Sequence, residues 1–155
     1  MKIMVVSPHP DDEVLGVGGS LLRYKDEGIS IAWLIVTGMS ESSGWSKERV
    51  EERRVEVDKI SKFFRFDEMY NLGLPTTKLD TLPMGDIVKE ISHILDSYRP
   101  SHLFIPHYGD VHTDHQIVHK AVASCSKWFR SPFVEKILSY ETISETEFSL
   151  NSNKY

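Results

Sequence analysis

Residues 7–13 bring one imidazole and three carboxylates together in the short run Ser-Pro-His-Pro-Asp-Asp-Glu. The groups belong to His9, Asp11, Asp12 and Glu13. Imidazole and carboxylate groups bind divalent metal ions, and they transfer protons in catalysis. Acidic residues are also favoured in the first turn of a helix, but this does not explain a histidine between two prolines. The segment therefore predicts a metal or catalytic site.

A second segment of this kind lies far downstream, where four histidines fall within thirteen residues. They are His107, His112, His115 and His119. Thr113 and Gln116 have the spacing of a capping box, which predicts a helix with Thr113 as its N-cap. Asp114 and His115 would then lie in the first turn, with His112 just before it. A capped helix alone does not explain so many histidines, so we expect this segment to contribute to a site.

Each segment follows an apolar run and precedes a helical pattern. The apolar runs predict strands at 2–6, 28–36, 68–72, 102–105 and 137–140. A first helical pattern begins at residue 14, and three others cover 47–64, 82–98 and 116–129. This alternation predicts a three-layer α/β fold, with a mostly parallel sheet and helices on both faces. The carboxyl ends of parallel strands share one edge of the sheet, so the two segments can face each other there.

The spacing of His9 and Asp12 allows both side chains to reach one ion from the start of a helix. A third ligand from the opposite segment would complete a set of two histidines and one carboxylate. Such a set suits catalytic zinc, and it also suits non-haem iron, so spacing alone leaves the metal open. Asp11, adjacent but pointing elsewhere, would be free to act as a general base.

Length and composition favour a single-domain globular protein. The chain has 155 residues, of which 40% are hydrophobic and 26% are charged. A net charge of −5 and the lack of a long Lys/Arg block argue against binding to nucleic acid or to anionic membranes. Cys125 is the single cysteine, and no apolar run is long enough for a signal peptide or a membrane span. We therefore expect a cytoplasmic protein.

Together the two segments resemble the PIG-L/LmbE-like family of zinc-dependent N-deacetylases. Residues 8–13 match the first motif of that family, and residues 112–115 match its His-x-Asp-His motif. Residues 53–56 give a weaker match to the family's Arg-x-x-Glu. The resemblance extends to about residue 141. It implies a Rossmann-like fold and the removal of an N-acetyl group from a glucosamine-type sugar or sugar conjugate.

The resemblance also implies roles for individual residues. The metal ion would be Zn²⁺, with Fe²⁺ or another first-row divalent ion as the alternative, and its ligands would be His9, Asp12 and His115. Asp11 would be the general base. His112, as a cation, would stabilise the oxyanion or protonate the leaving amine, and Asp114 would orient His112. Arg53 would contact the substrate, a small N-acetylated sugar, and His107 and Asp110 would flank the second motif.

Members of this family continue past the length of this chain, in a segment that helps to close the pocket and to build oligomers. We therefore expect residues 1–155 to form a single deacetylase-like domain without that C-terminal segment, with a homo-oligomer as one arrangement. His119 lies four residues after His115 and could compete as a ligand, but we expect it to face away or to support a ligand. The polar tail from Ser144 is expected to be loose.

Two other functions remain open. A metal-dependent hydrolase of another bond, such as a phosphoester, would need a phosphate clamp beyond Arg53 and Arg54. A sugar-binding protein without catalytic activity would have no need of Asp11 as a base.

Overall fold

The structure, a computed structural model, describes residues 1–143 and 145–149. Its strands are β1 (Lys2–Ser7), β2 (Ser30–Gly38), β3 (Glu68–Pro75), β4 (His102–Pro106) and β5 (Lys136–Tyr140). Its α-helices are α1 (Asp12–Asp26), α2 (Lys47–Phe64), α3 (Met84–Tyr98) and α4 (Thr113–Cys125). No helix in these two ranges has the length and apolar character that a membrane crossing requires.

The five strands form one sheet in the order β3-β2-β1-β4-β5, and every neighbouring pair is parallel. The chain builds the sheet outward from β1 to β3, then crosses back to place β4 on the other side of β1. The carboxyl ends of β1 and β4 therefore flank the point where the strand order reverses, which is where open α/β sheets bind ligands. The predicted Rossmann-like α/β fold is confirmed.

Helices cover both faces of the sheet. Alternate residues of each central strand point to opposite sides, so each strand contributes side chains to both layers of the core. In β2 one set packs towards α1 and α2, and comprises Ile31, Trp33 and Ile35. The other set packs towards α3 and α4, and comprises Ala32, Leu34 and Val36. All six are fully buried, so β2 has the continuous apolar sequence of a strand covered on both faces.

The prediction of the α4 boundaries was wrong at both ends. The helix begins at Thr113, one residue earlier than the predicted capping box implies, and it ends at Cys125 rather than at residue 129. Its N-cap is His112 rather than Thr113, because the His112 Nδ1 atom accepts a hydrogen bond of 3.1 Å from the backbone N–H of Asp114. Phe129, the last residue of the predicted helical pattern, lies beyond the helix and is 60% exposed.

The tail from Ser144 was expected to be loose, but its described residues, 145–149, include groups that pack against the rest of the domain. Thr146 is buried, and its hydroxyl donates a 2.6 Å hydrogen bond to Asp110 Oδ1. The backbone N–H of Val111 donates to the carbonyl of Glu145. The described part of the tail thus packs against the loop after β4, while Ser144 and residues 150–155 lie outside the described residues.

Candidate active site

The turn between β1 and α1 is held in place by the end of β2. The Pro8 carbonyl accepts two hydrogen bonds from Thr37, 3.0 Å from its backbone N–H and 2.7 Å from its hydroxyl. At the next residue, the backbone N–H of His9 donates to Asp12 Oδ2 at 2.7 Å. The sequence of β1 thus places two candidate metal ligands at the reversal point of the sheet.

Three side chains from the two segments meet there, and each offers a ligand atom within 4.8 Å of the others. His115 Nε2 lies 3.3 Å from His9 Nδ1 and 3.3 Å from Asp12 Oδ1, and His9 Nδ1 lies 3.5 Å from Asp12 Oδ2. Ligands about 2.0–2.1 Å from a tetrahedral zinc are about 3.3–3.4 Å apart. The donor set of two imidazoles and one carboxylate therefore fits a zinc-type ion in both chemistry and spacing.

The Asp12 carboxylate and the two imidazoles favour one another's charged forms, while the two imidazoles oppose each other. Burial disfavours the protonated form of His9, but its hydrogen bonds with Asp114 and Asp12 outweigh burial and raise its pKa to about 9. For His115 burial is likewise outweighed, here by Asp110 and Asp12, and its pKa is also raised to about 9. Burial alone would raise the pKa of Asp12, but the two histidines hold it well below the usual range. A metal ion would take the place of these protons.

A buried carboxylate contacts the other ring nitrogen of each histidine. Asp110 Oδ2 lies 2.8 Å from His115 Nδ1, and Asp114 Oδ2 lies 3.0 Å from His9 Nε2. Such partners fix the tautomer and the orientation of imidazoles that bind metals. Sequence reasoning gave Asp110 only a flanking position, because its pairing with His115 depends on how the loop folds onto α4.

Asp11 stands beside this cluster. It belongs to neither candidate metal group of the described residues, the one formed by His9, Asp12 and His115 or the one formed by His9, His112 and Asp114. Asp11 lines a cavity of about 310 Å³, and so do His112 and Arg53. Burial and the charge of Asp12 raise the pKa of Asp11, while Arg53 opposes the rise. Asp11 is therefore a carboxylate outside the ligand set whose proton affinity is higher than usual.

The geometry of His112 fixes its tautomer. Because Nδ1 accepts from the Asp114 backbone N–H, the ring hydrogen of the neutral imidazole lies on Nε2. Burial lowers the pKa of His112, and so do the neighbouring His9 and His115. The side chain thus has the form of a neutral hydrogen-bond donor, whereas the sequence-based expectation was a cation.

The Asp114 carboxylate contacts His9 and two backbone groups instead of the His112 ring. It accepts hydrogen bonds from the N–H groups of Thr77, at 2.7 Å, and Leu79, at 3.2 Å. Burial raises its pKa, but these donors and His9 lower it overall. The predicted role of Asp114 in orienting His112 stays a prediction. The contact that supports it is the hydrogen bond from the backbone N–H of Asp114 to the His112 ring, and the Asp114 carboxylate takes no part in it.

Of the remaining candidates, Arg53 contacts the first motif, whereas Arg54 and His119 make their contacts elsewhere. Arg53 Nη1 donates to the Pro10 carbonyl at 3.1 Å, so this side chain reaches the first motif. Arg54 pairs with Glu51 on the exposed side of α2. His119 Nδ1 lies 2.9 Å from the Pro106 carbonyl, and His119 is outside the candidate metal group. The predicted substrate contact of Arg53 stays a prediction.

Comparison with known families gives the site a context. The profile of the PIG-L family, described as GlcNAc-PI de-N-acetylase, matches residues 4–126. The match covers most of the chain and includes both segments of the candidate site. The chain belongs to the PIG-L family. The resemblance that was predicted from the motifs is thereby confirmed.

Curated relatives match the chain at moderate identity. The chain is 28% identical over 146 residues to the uncharacterized deacetylase YaiS of Escherichia coli K12, a match that covers 90% of the chain and 73% of YaiS. It is 27% identical over 113 residues to the diacetylchitobiose deacetylase of Thermococcus kodakarensis, covering 68% of the chain and 40% of that enzyme.

The fold also matches a solved structure. The conserved protein TT1542 from Thermus thermophilus is similar with a TM-score of 0.77 and 31% identity, over 91% of the chain and 66% of that protein. The PIG-L chain described here therefore spans about two thirds of TT1542 and two fifths of the diacetylchitobiose deacetylase.

Proposed function

We propose that this chain is a metal-dependent hydrolase that removes the N-acetyl group from a glucosamine-type sugar or sugar conjugate. The observation that carries the proposal is a group of two imidazoles and one carboxylate whose ligand atoms all lie within 4.8 Å of one another, beside a carboxylate that is not part of the group. A binding protein would have no use for that additional carboxylate. The description of the family and the names of its deacetylase relatives support the choice of an N-acetylated sugar.

His9, Asp12 and His115 would hold the ion, with zinc as the first choice and Fe²⁺ or another first-row ion as the alternative. When bound, a zinc ion supplies a Lewis acid for the acetyl carbonyl and lowers the pKa of water from about 15.7 towards about 7. Asp110 and Asp114 would hold the two imidazoles in orientation.

Asp11 would act as the general base. Its carboxylate takes a proton from the attacking water as the new C–O bond forms, a step typically worth about 10²–10⁴-fold. The same proton then passes to the amide nitrogen as the C–N bond breaks, which releases acetate and the free amine. The pKa of Asp11 is raised towards neutral pH, and both proton transfers are more efficient when the pKa lies nearer the working pH.

His112 would stabilise the tetrahedral oxyanion. Its Nε2–H is the outward donor of a ring that the backbone of Asp114 already orients, and the side chain lines the same cavity as Asp11. A preorganised donor of this kind requires no reorientation during the reaction. Arg53, at the wall of that cavity, would contact the sugar.

The test is an assay of amine release on N-acetylglucosamine and a panel of its conjugates, with the zinc-loaded chain and the chelated chain side by side. We expect release only from the loaded chain. Asp11→Asn should keep the zinc and lower kcat by at least about 10²-fold, while Glu52→Gln on the exposed face of α2 should leave kcat unchanged. Zinc binding without amine release across the panel would overturn the proposal, and phosphate release from phosphoesters would favour the other hydrolase. The cytoplasmic location and the homo-oligomer stay predictions.

A further inference from the structure

Glu13 is buried next to Asp11, although no step of the proposed reaction requires it. Its side chain is fully buried, and Oε2 accepts hydrogen bonds from the Ser7 hydroxyl at 2.9 Å and from the backbone N–H of Asp11 at 3.3 Å. The Ser7 oxygen in turn accepts from Trp33 Nε1 at 2.9 Å. A buried chain of hydrogen bonds therefore runs from β2 through β1 to the backbone of Asp11.

Two side chains hold the same peptide group. The N–H of Asp11 and the carbonyl of Pro10 belong to one peptide bond, and Glu13 binds the first while Arg53 Nη1 binds the second at 3.1 Å. A planar peptide group held at both polar atoms has little freedom to rotate. The orientation of this peptide group sets the direction in which the Asp11 side chain projects from the backbone.

The backbone of Asp11 needs such support. Its φ is 153° and its ψ is −23°, a conformation that residues other than glycine rarely adopt. Asp11 is also the N-cap of α1, but its side chain makes no capping hydrogen bond. The carboxylate thus remains available to the cavity, and other groups must hold the backbone in this conformation.

We propose that Glu13 is a positioning residue, which together with Arg53 holds the peptide group between Pro10 and Asp11 and so aims the Asp11 carboxylate at the reacting water. This inference rests on the proposed function of Asp11. It also accounts for a costly feature, since Glu13 Oε1 is buried without a hydrogen-bond partner among residues 1–143 and 145–149. One oxygen is left unpaired, while the other does the positioning.

The test compares two substitutions of similar size. Glu13→Gln keeps a carbonyl oxygen in the position of Oε2, and its amide replaces the unpaired Oε1. Glu13→Met removes the acceptor. We expect Glu13→Met to lower kcat by about 10- to 100-fold, with zinc content and KM within about threefold of the wild type, and Glu13→Gln to restore kcat to within about threefold. Unchanged kcat in Glu13→Met, or an equal loss in both variants, would overturn the proposal.

Coupling to Asp11 distinguishes positioning from general destabilisation. In an Asp11→Asn background, Glu13→Met should cause no further loss of residual activity, because both substitutions disable the same group. Additive losses would contradict the proposal. If Glu13→Met does not fold, Ser7→Ala takes its place, with a several-fold loss of kcat at constant KM expected and an unchanged kcat as the contrary result.

The two proposals fail in different ways. If Asp11→Asn keeps full activity, the assigned base is wrong. If Asp11→Asn is inactive but Glu13→Met is fully active, only the positioning role is wrong.

Discussion

Asp11 and Asp12 show how neighbouring carboxylates of one turn acquire different chemistry. Asp12 faces two imidazoles, which keep its pKa low and the group ionised, as a metal ligand must be. Asp11 faces the cavity, where burial and the charge of Asp12 raise its pKa. Environments that push the pKa values of two neighbours apart are typical of a base beside a permanently charged group.

At the same scale, His112→Ala should lower kcat by about 10²–10³-fold, because the oxyanion loses a preorganised donor. Zinc content should not change, since His112 is outside the predicted ligand set. Steady-state kinetics with metal analysis would measure both quantities. The matched control is His93→Ala, which removes an exposed imidazole from α3. A His112→Ala variant with the kcat of that control would remove His112 from the mechanism.

His115→Ala should abolish zinc binding. The substitution removes one of three donors and leaves Asp110 buried without its imidazole partner. The metal content after dialysis against zinc, measured by atomic absorption, should fall from one ion per chain towards zero, while His93→Ala should keep the full amount. Retention of zinc by the His115→Ala chain would show that the ion binds elsewhere.

At the scale of elements, α1 approaches the sheet so closely that it leaves no space for a side chain at Gly16. A Cβ atom at this position would lie 2.3 Å from Tyr140 Cδ2 and 3.0 Å from the Glu141 carbonyl. The Tyr140 ring cannot easily move, because it is buried and its hydroxyl donates to the Val6 carbonyl at 2.8 Å. This contact packs the helix that carries Asp12 and Glu13 against the end of the edge strand β5.

Gly16→Ala should therefore destabilise the fold by about 1–3 kcal/mol through overpacking. Gly19→Ala is the matched control on the same helix, because a Cβ atom there meets nothing within 4 Å. That variant should gain about 0.5–1 kcal/mol from a better helix former. Urea unfolding would measure both free energies. Equal effects of the two substitutions would contradict the close contact.

The sequence was sufficient to identify the strands and helices, although not the ends of α4, because apolar runs and helical periodicity are local patterns. It placed α2 correctly and identified the two segments that meet at the reversal point. Other features depend on packing between distant segments and could not be predicted. Examples are the pairing of Asp110 with His115, the packing of Thr146 against Asp110, and the support that Glu13 gives to Asp11.

At the scale of the whole molecule, Asp67 joins three elements. Asp67 lies just before β3 begins. Its Oδ2 accepts a hydrogen bond of 2.8 Å from Lys25 Nζ, at the end of α1, and one of 2.7 Å from the backbone N–H of Ile31 in β2. Burial opposes ionisation, but these donors lower the pKa of Asp67 below its usual value of 3.8. The ionised group therefore stabilises the fold.

The sign of the pH effect follows from this lowered pKa. The stabilisation is present above the unfolded pKa, and it is lost as the pH falls through the lower folded value. Asp67→Asn should be less stable than the wild type at pH 6, and the difference should shrink as the pH falls below about 4. Thermal unfolding from about pH 3 to about pH 6 would measure it, with Asp96→Asn on the exposed side of α3 as control. A constant difference over that range would contradict the prediction.

His9 and His115 are 106 positions apart in the chain, and their ring nitrogens are 3.3 Å apart in space. An ion bound between them would fasten the first strand's turn to a helix that follows the fourth strand. Nascent chains that have not yet docked β4 would lack one of the three ligands, so uptake of the ion would follow assembly of the sheet centre. Retention of the ion would then report that the two halves of the domain have joined, and its loss on heating or denaturation would mark their separation.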